Sequence, residues 1–154
     1  MEGPFGAAVD LVTWDMSNTK VYVGGCLCGA VRYEARGDPK SQGYCFCGDC
    51  RKASGSGFVP FLFFPANSVR VSGETRHSIA KSLRGGDAVR NHCAKCGGLV
   101  FGGIFGRDSN HTIYAGSLDE PALFHPTIAL FLRDKPDWVP LPAGLTIFET
   151  MPGQ

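Results

Sequence analysis

A chain of 154 residues suits one domain large enough to bury its own core, so size alone demands neither a metal nor a disulfide. A formal charge of +1 leaves no cationic footprint for nucleic acid or an anionic membrane, and no window approaches the roughly 20 uncharged apolar residues of a membrane helix. The N-terminus lacks a basic leader and its apolar run is broken by Asp10 and Asp15; this predicts a cytoplasmic protein, whose clustered cysteines serve as ligands or catalysts rather than disulfides.

Residues 1–20 carry little pattern beyond the turn-like "SNTK" and are expected to form an extension or a peripheral strand. From residue 21 to 154 we expect a single domain. Short β-branched and aromatic runs, punctuated by Gly and Pro, follow in order: "KVYVGG", "GAVRYEA", "GFVPFLFF", "SVRVSG", "HTIYAGS" and "TIALFL". They predict short antiparallel strands. Helical periodicity is confined to about one turn at "DCRKAS" and another at "DEPALF", so the expected class is mainly β with minor helix. In the tail, the prolines forbid a central strand, while Trp138 and Phe148 are expected to pack back onto a sheet.

The seven cysteines fall into three groups: Cys26 and Cys28; Cys45, Cys47 and Cys50; Cys93 and Cys96. Alternate residues of an extended strand share a face, so Cys26 and Cys28 can grip one ion and supply half a site. Cys93 and Cys96 form a C-x-x-C turn whose following glycines, Gly97 and Gly98, let amide groups approach the sulfurs. Together these make a closed, structural four-thiolate zinc site. The middle group holds only three thiols, and because zinc takes four ligands, a metal there keeps one position for water or a substrate atom. Cys45, Cys47 and Cys50 are therefore the candidate catalytic ligands.

Other uses of the same cysteines compete. They can be small buried hydrophobes, or the C-x-x-C pairs can be redox couples, although the βαβ setting of such couples is missing. Both sites can also be architectural, with His92 or Asp49 completing the second. Seven ionised thiols outweigh two divalent ions and turn the charge balance negative at the metals, which should draw in cations from Arg51, Lys52, Arg90, His92 and Lys95. His77, His111 and His125 stand alone and are expected to be packing or surface residues.

The ordered set "GGCLCGAVRYEARG", "CFCGDCRKASGSGF", "NHCAKCGGLVFGG", "AGSLDEP" and the late Trp138 resembles the glutathione-dependent formaldehyde-activating enzyme family, whose domain is shared with centromere protein V. The resemblance implies a β-tent, antiparallel sheets held by zinc. It implies two zinc ions per chain, a structural one on Cys26, Cys28, Cys93 and Cys96 and a catalytic one on Cys45, Cys47 and Cys50. It further implies a carbon–sulfur lyase acting on a small-molecule thiol and aldehyde, with glutathione as cosubstrate and formaldehyde as partner, giving S-hydroxymethylglutathione. Phe46 departs from the family's frequent C-H-C, replacing a polar group with an apolar wall and leaving the substrate open. The alternative is a non-catalytic zinc-stabilised binding module, with Phe46 and "FVPFLFF" lining an apolar pocket.

Overall fold

A computed structural model describes residues 19–83 and 85–153; the extension expected over residues 1–20 thus lies outside them, apart from Thr19 and Lys20. The described chain is mostly β, in two sheets. The first has three antiparallel strands in the order β1 (Val21–Gly25), β2 (Arg32–Arg36), β5 (Val69–Ser72). The second has eight: β11 (Thr146–Ile147), β10 (Ile128–Leu130), β3 (Ser41–Cys45), β4 (Val59–Pro65), β9 (Asn110–Tyr114), β8 (Leu99–Gly102), β7 (Asp87–Cys93) and β6 (Thr75–Lys81). Pairing is antiparallel throughout except at β10, which runs parallel to both β3 and β11.

Period-two alternation decides what each face does. On β4, Leu62 and Phe64 point inward and pack with Val100 and Ile113 of the same sheet against Tyr22, Tyr33 and Val69 of the smaller one. The opposite face of β4 carries Val59, Phe61 and Phe63, and on β9 the same alternation sends Ile113 inward and Thr112 and Tyr114 outward. The core therefore lies between the two sheets, and the second face of the large sheet is left to build a site. His111 joins the core side, fully buried with its ring centroid 4.0 Å from that of Phe105. Burial pushes its pKa down, favouring the neutral ring. His77 and His125 are exposed, so none of the three joins a cysteine cluster.

The one α-helix among the described residues, α1 (Gly48–Ser54), falls at the expected "DCRKAS", and "DEPALF" forms a 3-10 turn at Pro121–Leu123. Strands β3, β6, β7, β8 and β11 lie outside the apolar runs. β6 is exposed along nearly its whole length, so no face of it needs to be apolar. In the tail, Phe148 packs against the Cys47 cluster, and β11, a two-residue strand between the prolines of the tail, sits at the sheet edge. Trp138 is 74% exposed. Its ring lies over buried Gly57, where a Cβ would come 2.9 Å from two ring atoms.

Candidate metal centre and cavity

The two outer cysteine groups meet where the β1–β2 turn of the small sheet approaches the β7–β8 turn of the large one. After β1, the Val31 N–H donates to Cys26 Sγ at 3.2 Å, and the Cys26 N–H to the Val31 carbonyl at 3.0 Å. After β7, the Lys95 and Cys96 N–H groups both donate to Cys93 Sγ, at 3.3 and 3.4 Å, and Gly98 N–H to Cys96 Sγ at 3.4 Å. Amide donors aimed at sulfur favour the thiolate, the form a metal needs. Burial opposes ionisation of Cys26, but the Val31 amide and the neighbouring thiols bring its pKa down to about 6. Cys26 Sγ and Cys28 Sγ lie 3.7 Å apart, and Cys28 Sγ and Cys93 Sγ 3.8 Å. A tetrahedron with zinc–sulfur bonds of about 2.3 Å has edges of about 3.8 Å, so these spacings fit zinc. All four sulfurs lie within 4.8 Å of one another and can hold a metal ion.

The middle group is built by the end of a strand running into a helix. Cys45 closes β3, and Cys47 is the N-cap of α1, its sulfur accepting the Cys50 N–H at 3.3 Å. Cys50, in the first turn, is thereby brought back over its own cap. The three sulfurs lie within 4.8 Å of one another and can hold a second metal ion. Shared hydrogen bonds split their acidities: donation from the Cys45 and Cys50 thiols pulls Cys47 well below the ordinary thiol range, and the same sharing pushes Cys45 up. Among the described residues neither Asp49 nor His92 joins this cluster. Asp49 lines the adjoining cavity, whereas His92 faces a separate groove beside Cys26 and Gly98.

Phe46 corrects an expectation. In the extended run from β3 into the α1 cap, residues 45 and 47 point one way and residue 46 the other. Phe46 is 1% exposed and packs with Tyr44, Phe58, Ala129 and Val139, on the far side from the trithiolate. It is a core residue and does not line the cavity.

The three thiols open instead onto a cavity of about 390 Å³ whose floor is the outer face of the large sheet, with Val59, Phe61 and Phe63 from β4 and Thr112 and Tyr114 from β9. Arg90 of β7 reaches this space from the side. It is 9% exposed, and its Nη2 donates to Cys50 Sγ at 3.9 Å. Across the sheet it faces Gly102 of β8, whose missing side chain leaves room for the Tyr114 hydroxyl, 3.4 Å from where a Cβ would sit. Of the cations expected near the cysteines, Arg90 is the one whose side chain reaches a sulfur among the described residues. Lys52 and Lys95 are exposed.

The remaining wall comes from the C-terminus. Phe131 is buried with a left-handed backbone (φ 56°), a conformation that costs a residue with a Cβ about 1–2 kcal/mol. The tail holds it there: Phe131 N–H donates to the Thr150 carbonyl at 3.0 Å, Leu132 N–H to that of Phe148 at 3.1 Å, and Phe148 N–H to that of Ala129 at 2.9 Å. Met151 and Pro152 then close the cavity beside Phe131. Arg90 is expected beside Cys93 and Cys96, the pair it precedes in sequence, and the structure sends it to Cys50 instead. No sequence signal marks Phe131 or Met151, because their meeting with the cysteines depends on strand order and on the return of the tail.

A mainly β chain with two thiol clusters suited to metal, one between sheets and one facing a cavity, defines a small class of metal-binding β proteins. Residues 21–134 match the family model described as glutathione-dependent formaldehyde-activating enzyme, and the chain belongs to that family. No curated protein matches it. Among solved structures, the chain is similar to a Rhodobacter sphaeroides protein determined by structural genomics, with 19% identity, a TM-score of 0.48, and coverage of 68% of this chain and 96% of that one. Among the described residues, no helix is long and apolar enough to cross a membrane.

Proposed function

We propose that this protein catalyses the reversible addition of a thiol to a small aldehyde, the reverse sense of a carbon–sulfur lyase, with glutathione and formaldehyde giving S-hydroxymethylglutathione as the pair to assay first. The observation that carries this reading is the odd cluster: three thiols, not four, face a cavity, with a buried arginine beside them. On this reading Cys45, Cys47 and Cys50 are the catalytic zinc ligands, and Cys26, Cys28, Cys93 and Cys96 hold a structural zinc that joins the sheets. Zinc bound to the trithiolate would supply a Lewis-acidic centre that keeps a thiol ionised near neutral pH. The chain's own groups do the rest. Arg90 offsets the negative charge of the thiolates, the Cys50 amide fixes the Cys47 sulfur, and Phe61, Leu130 and Phe131 exclude water from the cysteines.

A ligand with a free thiol should then outbind its S-methyl analogue, because only the former can present a thiolate, and its binding should release a proton. Calorimetry of glutathione and S-methylglutathione in two buffers of different ionisation enthalpy measures both effects, and condensation with formaldehyde is followed above the uncatalysed background. Equal affinities, no proton release and no rate above background would put a non-catalytic zinc-stabilised binding module ahead.

A further inference from the structure

Formaldehyde has a single carbon, yet the space beside the three thiols is far larger than one carbon needs. At about 390 Å³ it is more than twice the roughly 150 Å³ of an apolar cavity that takes up benzene. Its two ends differ. Ser41, Asn110 and the ion pairs of Asp87 and Asp108 with Lys81 and Arg107 make one end polar, which suits the amides and charged ends of a peptidic thiol. At the other end Phe61, Leu130, Phe131 and Met151 pack in one cluster with Cys45, Cys47 and Cys50 themselves. Met151 lies beyond the family-matched residues 21–134, so this part of the wall belongs to the chain's own C-terminal segment.

Two physical constraints identify what this wall can touch. For a thiol to add, the carbonyl carbon must come within about 3–3.5 Å of its sulfur, so any group on that carbon falls among the side chains packed on the cysteines. Charge narrows the choice. Among the described lining residues Arg90 is the one cation, and it already donates to Cys50, while Asp49 adds a negative charge and Asp87 and Asp108 are paired with Lys81 and Arg107 at the polar end. A carboxylate on the aldehyde, which must lie at the cysteine end, would therefore meet apolar side chains and no available counter-charge, whereas the carboxylates of glutathione lie several bonds from its sulfur and are free of that constraint.

Building on the thiol–aldehyde reading above, we propose that the wall formed by Phe61, Leu130, Phe131 and Met151 takes an uncharged alkyl or aryl group carried by the aldehyde, so that aldehydes with such a group bind and react better than formaldehyde. The left-handed Phe131, held by the tail, fixes this wall in advance of binding. In the addition the sulfur electron pair forms the C–S bond, the carbonyl π pair moves onto oxygen, and that oxygen takes up the proton the thiol released. No oxidant or further reactant enters.

The test uses the full-length, zinc-loaded protein with glutathione fixed. Formaldehyde, isobutyraldehyde and phenylacetaldehyde are compared as rates over their uncatalysed backgrounds, and unreactive benzyl alcohol is titrated by calorimetry. Burying apolar carbon is worth about fourfold per methylene, so the enhancement for phenylacetaldehyde should exceed that for formaldehyde by about tenfold or more, and benzyl alcohol should bind. Met151→Asp should weaken benzyl alcohol binding and lower the phenylacetaldehyde-to-formaldehyde ratio, each by about tenfold. If that variant fails to fold, Phe63→Asn on the floor carries the same expectation. Turnover of formaldehyde with no gain for the larger aldehydes and no benzyl alcohol binding would overturn the proposal and leave the thiol–aldehyde reading standing. Benzyl alcohol binding that depends on Met151, with no aldehyde reacting, would overturn the catalytic reading and with it the aldehyde assignment.

Discussion

Arg90 carries a full charge into a position only 9% exposed, where a guanidinium without a counter-charge costs several kcal/mol. Among the described residues no carboxylate pairs with it, and the contact it makes is with Cys50 Sγ. Burial works against its charge, yet Tyr114 and the Cys50 and Cys47 sulfurs together hold its pKa above the ordinary arginine value. The arginine and the trithiolate therefore balance each other. Arg90→Leu removes the cation while keeping an apolar stem in place, and partners of this kind are worth about 10–100-fold in metal affinity. A chelator competition on the variant should show metal at Cys45, Cys47 and Cys50 bound at least about tenfold more weakly, with the four-thiol site unchanged. An unaltered affinity would mean that Arg90 is merely a packed side chain.

At the scale of elements, the two clusters are held by different kinds of structure. Cys47 caps a single short helix, whereas Cys96 sits in the β7–β8 turn that meets the β1–β2 turn across the sheets. Replacing each by serine removes one thiolate, but the consequences should diverge. Serine is itself a good N-cap, so Cys47→Ser keeps an acceptor for the Cys50 amide and α1 survives with a weakened metal site. Cys96→Ser weakens the joint between sheets, and a structural zinc contributes roughly 10 kcal/mol or more of apparent folding free energy, comparable with a typical domain's whole stability. Thermal melts should show Cys47→Ser near wild type and Cys96→Ser unfolded or melting far lower. Equal melting temperatures would show that the clusters do not divide into structural and catalytic roles.

For the whole molecule the same division predicts two metals of unequal tenacity. One site has four sulfurs and amide donors on both turns; the other has three sulfurs and opens onto a cavity. During a chelator titration, zinc released should reach one equivalent per chain while the far-ultraviolet circular dichroism stays native, and the second equivalent should leave together with the fold. Release of both ions in one step with loss of structure would contradict this. The architecture explains the order: the four-thiol cluster joins turns of the two sheets, and the three-thiol cluster sits at the end of β3 on one face of the larger sheet alone.

The grouping of the cysteines was legible in the sequence by itself, because C-x-C and C-x-x-C spacings bring sulfurs together locally; the strand face expected to align Cys26 and Cys28 is instead the turn after β1, which the Gly29 N–H closes onto the Cys26 carbonyl. The mainly β character was legible too, and so were β1, β2, β4, β5, β9 and β10, whose β-branched and aromatic runs need burial. The sequence was silent on β6, which stays exposed, and on β3, where Gly43 admits β10 so closely that a Cβ would lie 2.1 Å from the Ile128 carbonyl. Phe46 shows the limit: its place beside the cysteines suggested a cavity wall, and the alternation of the extended backbone turned it into the core instead. Arg90 was foreseen as a cation near the thiolates, but its placement on Cys50, like that of Phe131 and Met151 beside the trithiolate, was decided by tertiary folding, because those contacts depend on strand order and on the path of the C-terminal segment, long-range choices that local sequence does not encode.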